Sequence, residues 1–227
     1  MSLTLNAVAS QNRRNIRLAN EFRMVTKAPH EHLDVIMPND ADTHTWMFRL
    51  RNLCGDFAGG EYIGRIRATL KNPNDPNSKA YPDGPPVFML YTPNGVVAIN
   101  TEKVCTTMSQ YHSGDWKAGK MNMIGFMMLI VKNMQEWLTM GSGLGWINNH
   151  LFVDRSDIII AKEHEIEASR RSIRSAATTS RAFNTRRYAE LVAEFDDTVW
   201  NRSRAVVAAA RLSAESRAVA DRYLAVI

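Results

Sequence analysis

The chain has 227 residues, 45% hydrophobic and 22% charged, which argues against a disordered polypeptide and leaves room for one domain with a sizeable appendage. Two cysteines, Cys54 and Cys105, are too few for a disulfide framework or a cysteine-built zinc site and fit free thiols in a reducing compartment. The net charge of +5 is a mild excess that does not by itself call for nucleic acid, and no apolar run approaches the roughly 20 residues of a membrane helix.

The opening MSLTLNAVASQNRRN lacks an apolar core behind a positive end, so no secretory signal is expected. Arg13 to Val25 reads as a first helix, with Ile16, Ala19 and Phe22 at helical spacing and Ala28-Pro29 ending it. Four short strand-like runs follow: Leu33 to Met37, Thr45 to Leu50, Glu61 to Leu70 and Val87 to Tyr91. In the second, Trp46, Phe48 and Leu50 alternate against Met47 and Arg49. In the third, Tyr62, Gly64, Ile66 and Ala68 alternate against Ile63, Arg65, Arg67 and Thr69. The turns between carry Pro38-Asn39-Asp40, Gly59-Gly60, Asn74-Asp75-Pro76-Asn77 and Pro82-Asp83-Gly84-Pro85-Pro86. One helix before four successive strands predicts an α+β domain with an antiparallel meander.

Periodicity disappears from Thr92 to Asp115, and such a stretch in a compact domain tends to carry function. Met121 to Leu138 then reads as a long apolar helix whose methionine stripe is core packing, stopped by Gly141-Ser142-Gly143. All 12 glycines and all 8 prolines precede residue 150. A mixed domain is therefore expected over 1–150 and a helical, alanine- and arginine-rich extension over 151–227. Arg170 to Arg187 holds six arginines and no acid; it reads as a solvated helix face, since only Phe183 could serve as a stacking platform. Tyr188, Leu191, Val192, Phe195 and Val199 share one helix face, and Val206, Ala210, Val219, Tyr223 and Ile227 continue the seam. Such a seam must be covered by the domain, by another helix or by a second copy of the chain, so a homo-oligomer through these helices is one expectation.

Cys105 lies in the irregular stretch, between Glu102-Lys103 and Thr106-Thr107, rather than in a periodic core element. A thiolate attacks well near neutral pH, and the thioester it forms stays reactive towards amines. A free cysteine is also often a small buried apolar residue, and that alternative stands beside the nucleophile. Asn94, in a Pro-Asn-Gly turn upstream, could offer an amide to a developing oxyanion or hold its loop through turn hydrogen bonds. His112 is the one histidine near Cys105 in sequence, but sequence proximity is not the geometry a Cys–His pair requires. No histidine and carboxylate spacing suggests a metal, and Gly141-Ser142-Gly143-Leu144-Gly145 lacks the Lys-Ser or Lys-Thr of a phosphate loop. No cofactor is expected.

The order of these pieces resembles the ubiquitin-conjugating enzyme family, nearest its tail-anchored endoplasmic-reticulum branch. The resemblance rests on Gly59-Gly60-Glu61-Tyr62, Tyr81-Pro82-Asp83-Gly84-Pro85-Pro86, Met89 to Gly95 with its Thr-Pro-Asn-Gly, Asn100 to Cys105, Tyr111-His112-Ser113-Gly114-Asp115-Trp116 and Gly141 to Gly145. It covers about residues 13 to 148. It implies that Cys105 accepts ubiquitin, or a ubiquitin-like modifier, as a glycyl thioester from an activating enzyme. Asn94 then takes the family asparagine's place, and a substrate lysine brought by a ligase is the acceptor. The branch's membrane anchor has no counterpart in this sequence, so a protein of the cytoplasm, or also the nucleus, is expected. Several positions depart from the family. The Lys71 to Ala80 loop is longer. Thr106 stands where leucine is usual, and Lys117-Ala118-Gly119-Lys120 replaces Asn-Pro-Ala-Trp. Ser142 and Asp115 are the nearest candidates for the gate beside the thiol. Two alternatives remain: an inactive module that binds or scaffolds, and an assembly protein working through its helical extension.

Overall fold

The computed structural model describes residues 2–28, 30–38, 42–70, 74, 78–106, 109–140, 144–147, 152–155, 158–161 and 163–197. Helix α1 (Ser2–Lys27) leads into four strands, β1 (Leu33–Ile36), β2 (Thr45–Leu50), β3 (Tyr62–Arg67) and β4 (Val87–Leu90). They form one antiparallel sheet in the order β1-β2-β3-β4, so the expected meander is the one observed. α1 runs eleven residues further towards the N-terminus than the helix expected from Arg13, because nothing in that stretch breaks a helix.

Period-two alternation sorts the sheet into two faces. Trp46, Phe48, Leu50, Tyr62 and Ile66 are fully buried on one face, against Leu18 of α1 and Phe126 and Met127 of α2 (Met123–Gln135). The opposite face carries a buried charge cluster. Asp34 of β1 stands opposite Arg49 of β2 and accepts from its Nε at 2.9 Å and from Arg51 at 3.0 Å. Arg49 is buried although its alternation reads as solvent-facing, because Asp34 and Glu61 pair with its guanidinium.

Glu21 of α1 fastens three elements at once. Its buried carboxylate accepts from Tyr81 OH at 2.6 Å, from the Met123 N–H at 2.9 Å and from Arg17. Burial beside Glu21 pushes the Tyr81 hydroxyl well above the usual tyrosine range. The Tyr81-Pro82 peptide in this turn is cis.

The helix expected over Met121 to Leu138 is divided into α2 and a short α3 (Trp137–Met140), with a break at Glu136. Asn122 caps α2 by accepting from the Gly125 N–H at 2.7 Å. Past residue 150 a two-stranded hairpin, β5 (Phe152–Arg155) with β6 (Ile158–Ala161), precedes α4 (Glu163–Arg187) and α5 (Ala189–Asp196). The hairpin lies in a stretch that composition reads as helical. Its Phe-Val and Ile-Ile-Ile runs are β-branched and aromatic residues that favour strands.

The chain divides into two compact units, Met1–Arg187 and Tyr188–Ile227. α4 therefore belongs to the same unit as the sheet. Its Ile173 joins the core, Ser180 Oγ accepts from the Glu61 N–H at 2.9 Å, and Asn184 Nδ2 donates to the Glu61 carbonyl at 2.9 Å. Three of the six arginines form ion pairs with the unit's own acids: Arg170 and Arg174 with Asp56, and Arg181 with Glu61. In the second unit, α5 is described; the expected seam from Val199 onwards lies outside the described residues.

Candidate active site

The irregular stretch after β4 is held by hydrogen bonds rather than by periodic structure. Thr92 starts it, with its hydroxyl accepting from the Ile63 N–H at 2.8 Å and donating to Asn184 Oδ1 at 2.6 Å. Asn94 is buried, and its side chain is saturated. Nδ2 donates to the carbonyls of Thr92 (3.2 Å) and Val97 (3.1 Å), and Oδ1 accepts from the N–H groups of Val96 (3.0 Å) and Val97 (2.7 Å). Gly95 turns the chain with φ +78°, and a Cβ there would lie 3.1 Å from the backbone of Ile173 in α4.

The segment after α3 is laced to this loop and to Cys105. The Ile147 N–H donates to Val96 and the Ala98 N–H to Gly145. The Cys105 N–H donates to the Leu144 carbonyl at 2.7 Å, and Trp146 Nε1 donates to the Cys105 carbonyl at 2.7 Å. Gly145, with φ +82°, makes this possible, since a Cβ on it would meet the Lys103 carbonyl oxygen at 2.5 Å and Val104 Cα at 2.8 Å. On the other side Glu102 anchors the approach to Cys105, pairing with Arg65 at 3.1 Å and Arg67 at 2.8 Å on β3.

Cys105 is half-buried, and burial pushes its thiol above the ordinary range. Its Sγ lies 3.1 Å from Nε2 of His112. A closed turn brings the two together across seven positions. Ser109 Oγ accepts from the Thr106 and Tyr111 N–H groups, and its carbonyl accepts from the His112 N–H. The following 3-10 segment, Gln110–Asp115, is kinked at His112 itself (φ −129°, ψ 45°). Sequence proximity alone does not place His112 against Cys105, because the contact depends on this turn. Cys54 is exposed and meets Gln135 Nε2 at 3.0 Å. Asp115 is exposed at the end of the 3-10 segment, and Ser142 lies outside the described residues. Among the described residues no group of three or more histidines, cysteines or carboxylates could hold a metal.

No family model matches the chain. Curated proteins do resemble it. It is 36% identical over 103 residues to ubiquitin-conjugating enzyme E2 32 of Arabidopsis thaliana, covering 44% of this chain and 29% of that protein. Ubiquitin-conjugating enzyme E2 34 of the same plant is 36% identical over 101 residues, with 44% and 38% covered. Ubiquitin-conjugating enzyme E2 6 of Candida glabrata is 32% identical over 104 residues, with 45% and 38% covered.

Over less than half of its length the chain is similar to ubiquitin-conjugating enzymes.

Its matches span 29% to 38% of the length of these relatives. A solved structure of a provisionally assigned ubiquitin conjugating enzyme from Plasmodium yoelii has a TM-score of 0.48 and 14% identity, over 74% of this chain and 94% of that one. The α+β architecture that the motifs imply agrees with the one observed: an N-terminal helix, a four-stranded meander, a long irregular segment and C-terminal helices. Among the described residues no helix is long and apolar enough to cross a membrane.

Proposed function

We propose that the protein accepts ubiquitin, or a ubiquitin-like modifier, as a thioester on Cys105 and passes it to a substrate lysine. The Cys105 sulfur attacks the C-terminal carbonyl carbon of the modifier carried by an activating enzyme, and that enzyme's thiolate leaves. A lysine amine then attacks the new thioester, the C–N bond forms, and the Cys105 thiolate departs. The partners are the modifier, its activating enzyme, a ligase and protein substrates, met in the cytoplasm or nucleus. The chemistry belongs to residues 1–150, and the stretch 151–227 contributes support through α4.

The observation that carries this reading is how Cys105 is held. Its N–H and its carbonyl are both engaged by the Leu144–Trp146 segment, while its thiol remains half-exposed beside an imidazole. A cysteine that merely fills a core is buried among apolar side chains and has no such neighbour. Asn94 supports the reaction by holding the loop, since both ends of its amide are engaged by that loop's own backbone.

The test is direct. Incubation with activating enzyme, ATP and ubiquitin should give an adduct that thiol reductants release. Cys105→Ala should abolish it, and Cys54→Ala should leave it intact. An adduct that survives Cys105→Ala would end this reading.

A further inference from the structure

Thioester formation and discharge both move protons. The Cys105 thiol must lose its proton to form a thioester, and a lysine that attacks the thioester must lose one in turn. The imidazole of His112 lies 3.1 Å from Cys105 Sγ, through Nε2. We infer that His112 is a catalytic residue of this site, the base that takes the proton from the Cys105 thiol during loading and from the attacking amine during discharge. The inference rests on the proposed thioester chemistry.

Geometry selects the role. Nε2 is within hydrogen-bond reach of the reacting sulfur, which is the first requirement of a general base. The neutral ring must then carry its proton on Nδ1, so that Nε2 can accept. His112 is exposed, so a proton it takes can pass on to water. Its ring is held by backbone that has little freedom: the kink at His112, its N–H on the Ser109 carbonyl at 2.9 Å, and the Ser109 hydroxyl drawing Thr106 and Tyr111 together.

The steps balance. In loading, the Sγ–H proton moves to Nε2 as the S–C bond forms, and it is then released to the departing thiolate of the activating enzyme or to water. In discharge, the neutral lysine amine forms the N–C bond and gives its proton to Nε2. The C–S bond breaks, and the imidazolium returns the proton to the Cys105 thiolate. No oxidant, reductant or metal enters.

The experiment uses the full chain carrying Cys54→Ala, so that Cys105 is the one thiol. His112→Ala and His112→Asn are compared with this parent in three measurements. The first is the rate of Cys105 alkylation by iodoacetamide at neutral pH, which involves no ubiquitin. The second is discharge of the ubiquitin thioester to free lysine, with and without added imidazole. The third is thermal unfolding. Alkylation should slow in both variants, discharge should fall by about 10²-fold or more, and imidazole should restore part of the His112→Ala rate while unfolding stays unchanged. Parent-like alkylation and discharge in both variants would overturn the inference. So would a loss that imidazole cannot restore together with lowered unfolding temperature, since His112 would then only hold the turn. A parent that forms no thioester at all defeats the proposed function instead, and the alkylation rates still decide whether the pair exchanges a proton.

Discussion

Asn184 on α4 and Thr92 in the candidate active-site loop stand 92 residues apart in sequence, and the Thr92 hydroxyl donates to Asn184 Oδ1 at 2.6 Å. The other end of the same amide reaches the Glu61 carbonyl just before β3. A helix that composition assigns to an appendage thus braces the start of the loop that leads to Cys105.

Removing that amide leaves the Thr92 hydroxyl without its acceptor and the Glu61 carbonyl without its side-chain donor. A buried polar group left unsatisfied costs about 1–3 kcal/mol. Asn184→Ala should therefore lower the melting temperature by several degrees, at roughly 2–4 °C per kcal/mol for a unit of this size. Ubiquitin charging should weaken alongside. An unchanged melting temperature would show that α4 does not fasten the loop.

Asn94 presents two readings that kinetics can separate. An amide reserved for an oxyanion predicts that Asn94→Ala slows discharge and spares charging. The four hydrogen bonds of Asn94 to its own loop predict a broader loss. We expect charging, discharge and thermal stability to fall together. A selective loss of discharge, with the melting temperature kept, would restore the oxyanion role.

Gly145→Ala tests the strap that holds Cys105. The left-handed backbone costs about 1–2 kcal/mol for a residue with a Cβ. The new methyl group would also meet Lys103 O at 2.5 Å, and neither backbone can yield without moving Cys105. We expect a fall in denaturation midpoint and a Cys105 thiol that alkylates more readily as the loop loosens. Wild-type values in both measurements would mean that the strap carries no load.

The pH dependence of Cys105 follows from its burial. Burial disfavours the thiolate, so at a given pH the native thiol should alkylate more slowly than the same thiol in urea, and its titration curve should lie at higher pH. The folded chain then holds this proton more tightly than the unfolded one. The resulting stability is fully present below the ordinary thiol value and is lost as pH rises through the higher native value. Titrating alkylation in both states, with Cys54 replaced by alanine, measures the difference.

The sheet was legible because its alternation is physical: Trp46, Phe48 and Leu50 are buried where a period of two puts them. Arg49 departs from that rule because its partner Asp34 sits on another strand, and a pairing between strands leaves no mark on local periodicity. Cys105 and Asn94 stood out by their turn chemistry and irregular surroundings. The Cys105–His112 approach did not, because it depends on Ser109 closing a turn, and a serine hydroxyl in a loop has many uses. The contribution of α4 was hidden for a similar reason. Ser169, Ile173, Ala177, Ser180 and Asn184 form its buried stripe, and small and polar residues give little hydrophobic signal although they allow close approach to the sheet.

The clamp made by Asn184 also sets an order of events during synthesis. Chains emerge from the ribosome at about 5–20 residues per second, and N-terminal parts fold first. The sheet, the Thr92 turn and Cys105 are all translated well before α4, whose contacts reach back 119 and 123 residues to Glu61. For several seconds the nascent chain carries its thiol on a loop that still lacks its brace, with Gly95 and the start of β3 open to water. The loop that leads to Cys105 thus gains its last brace only when the final helix of the unit docks.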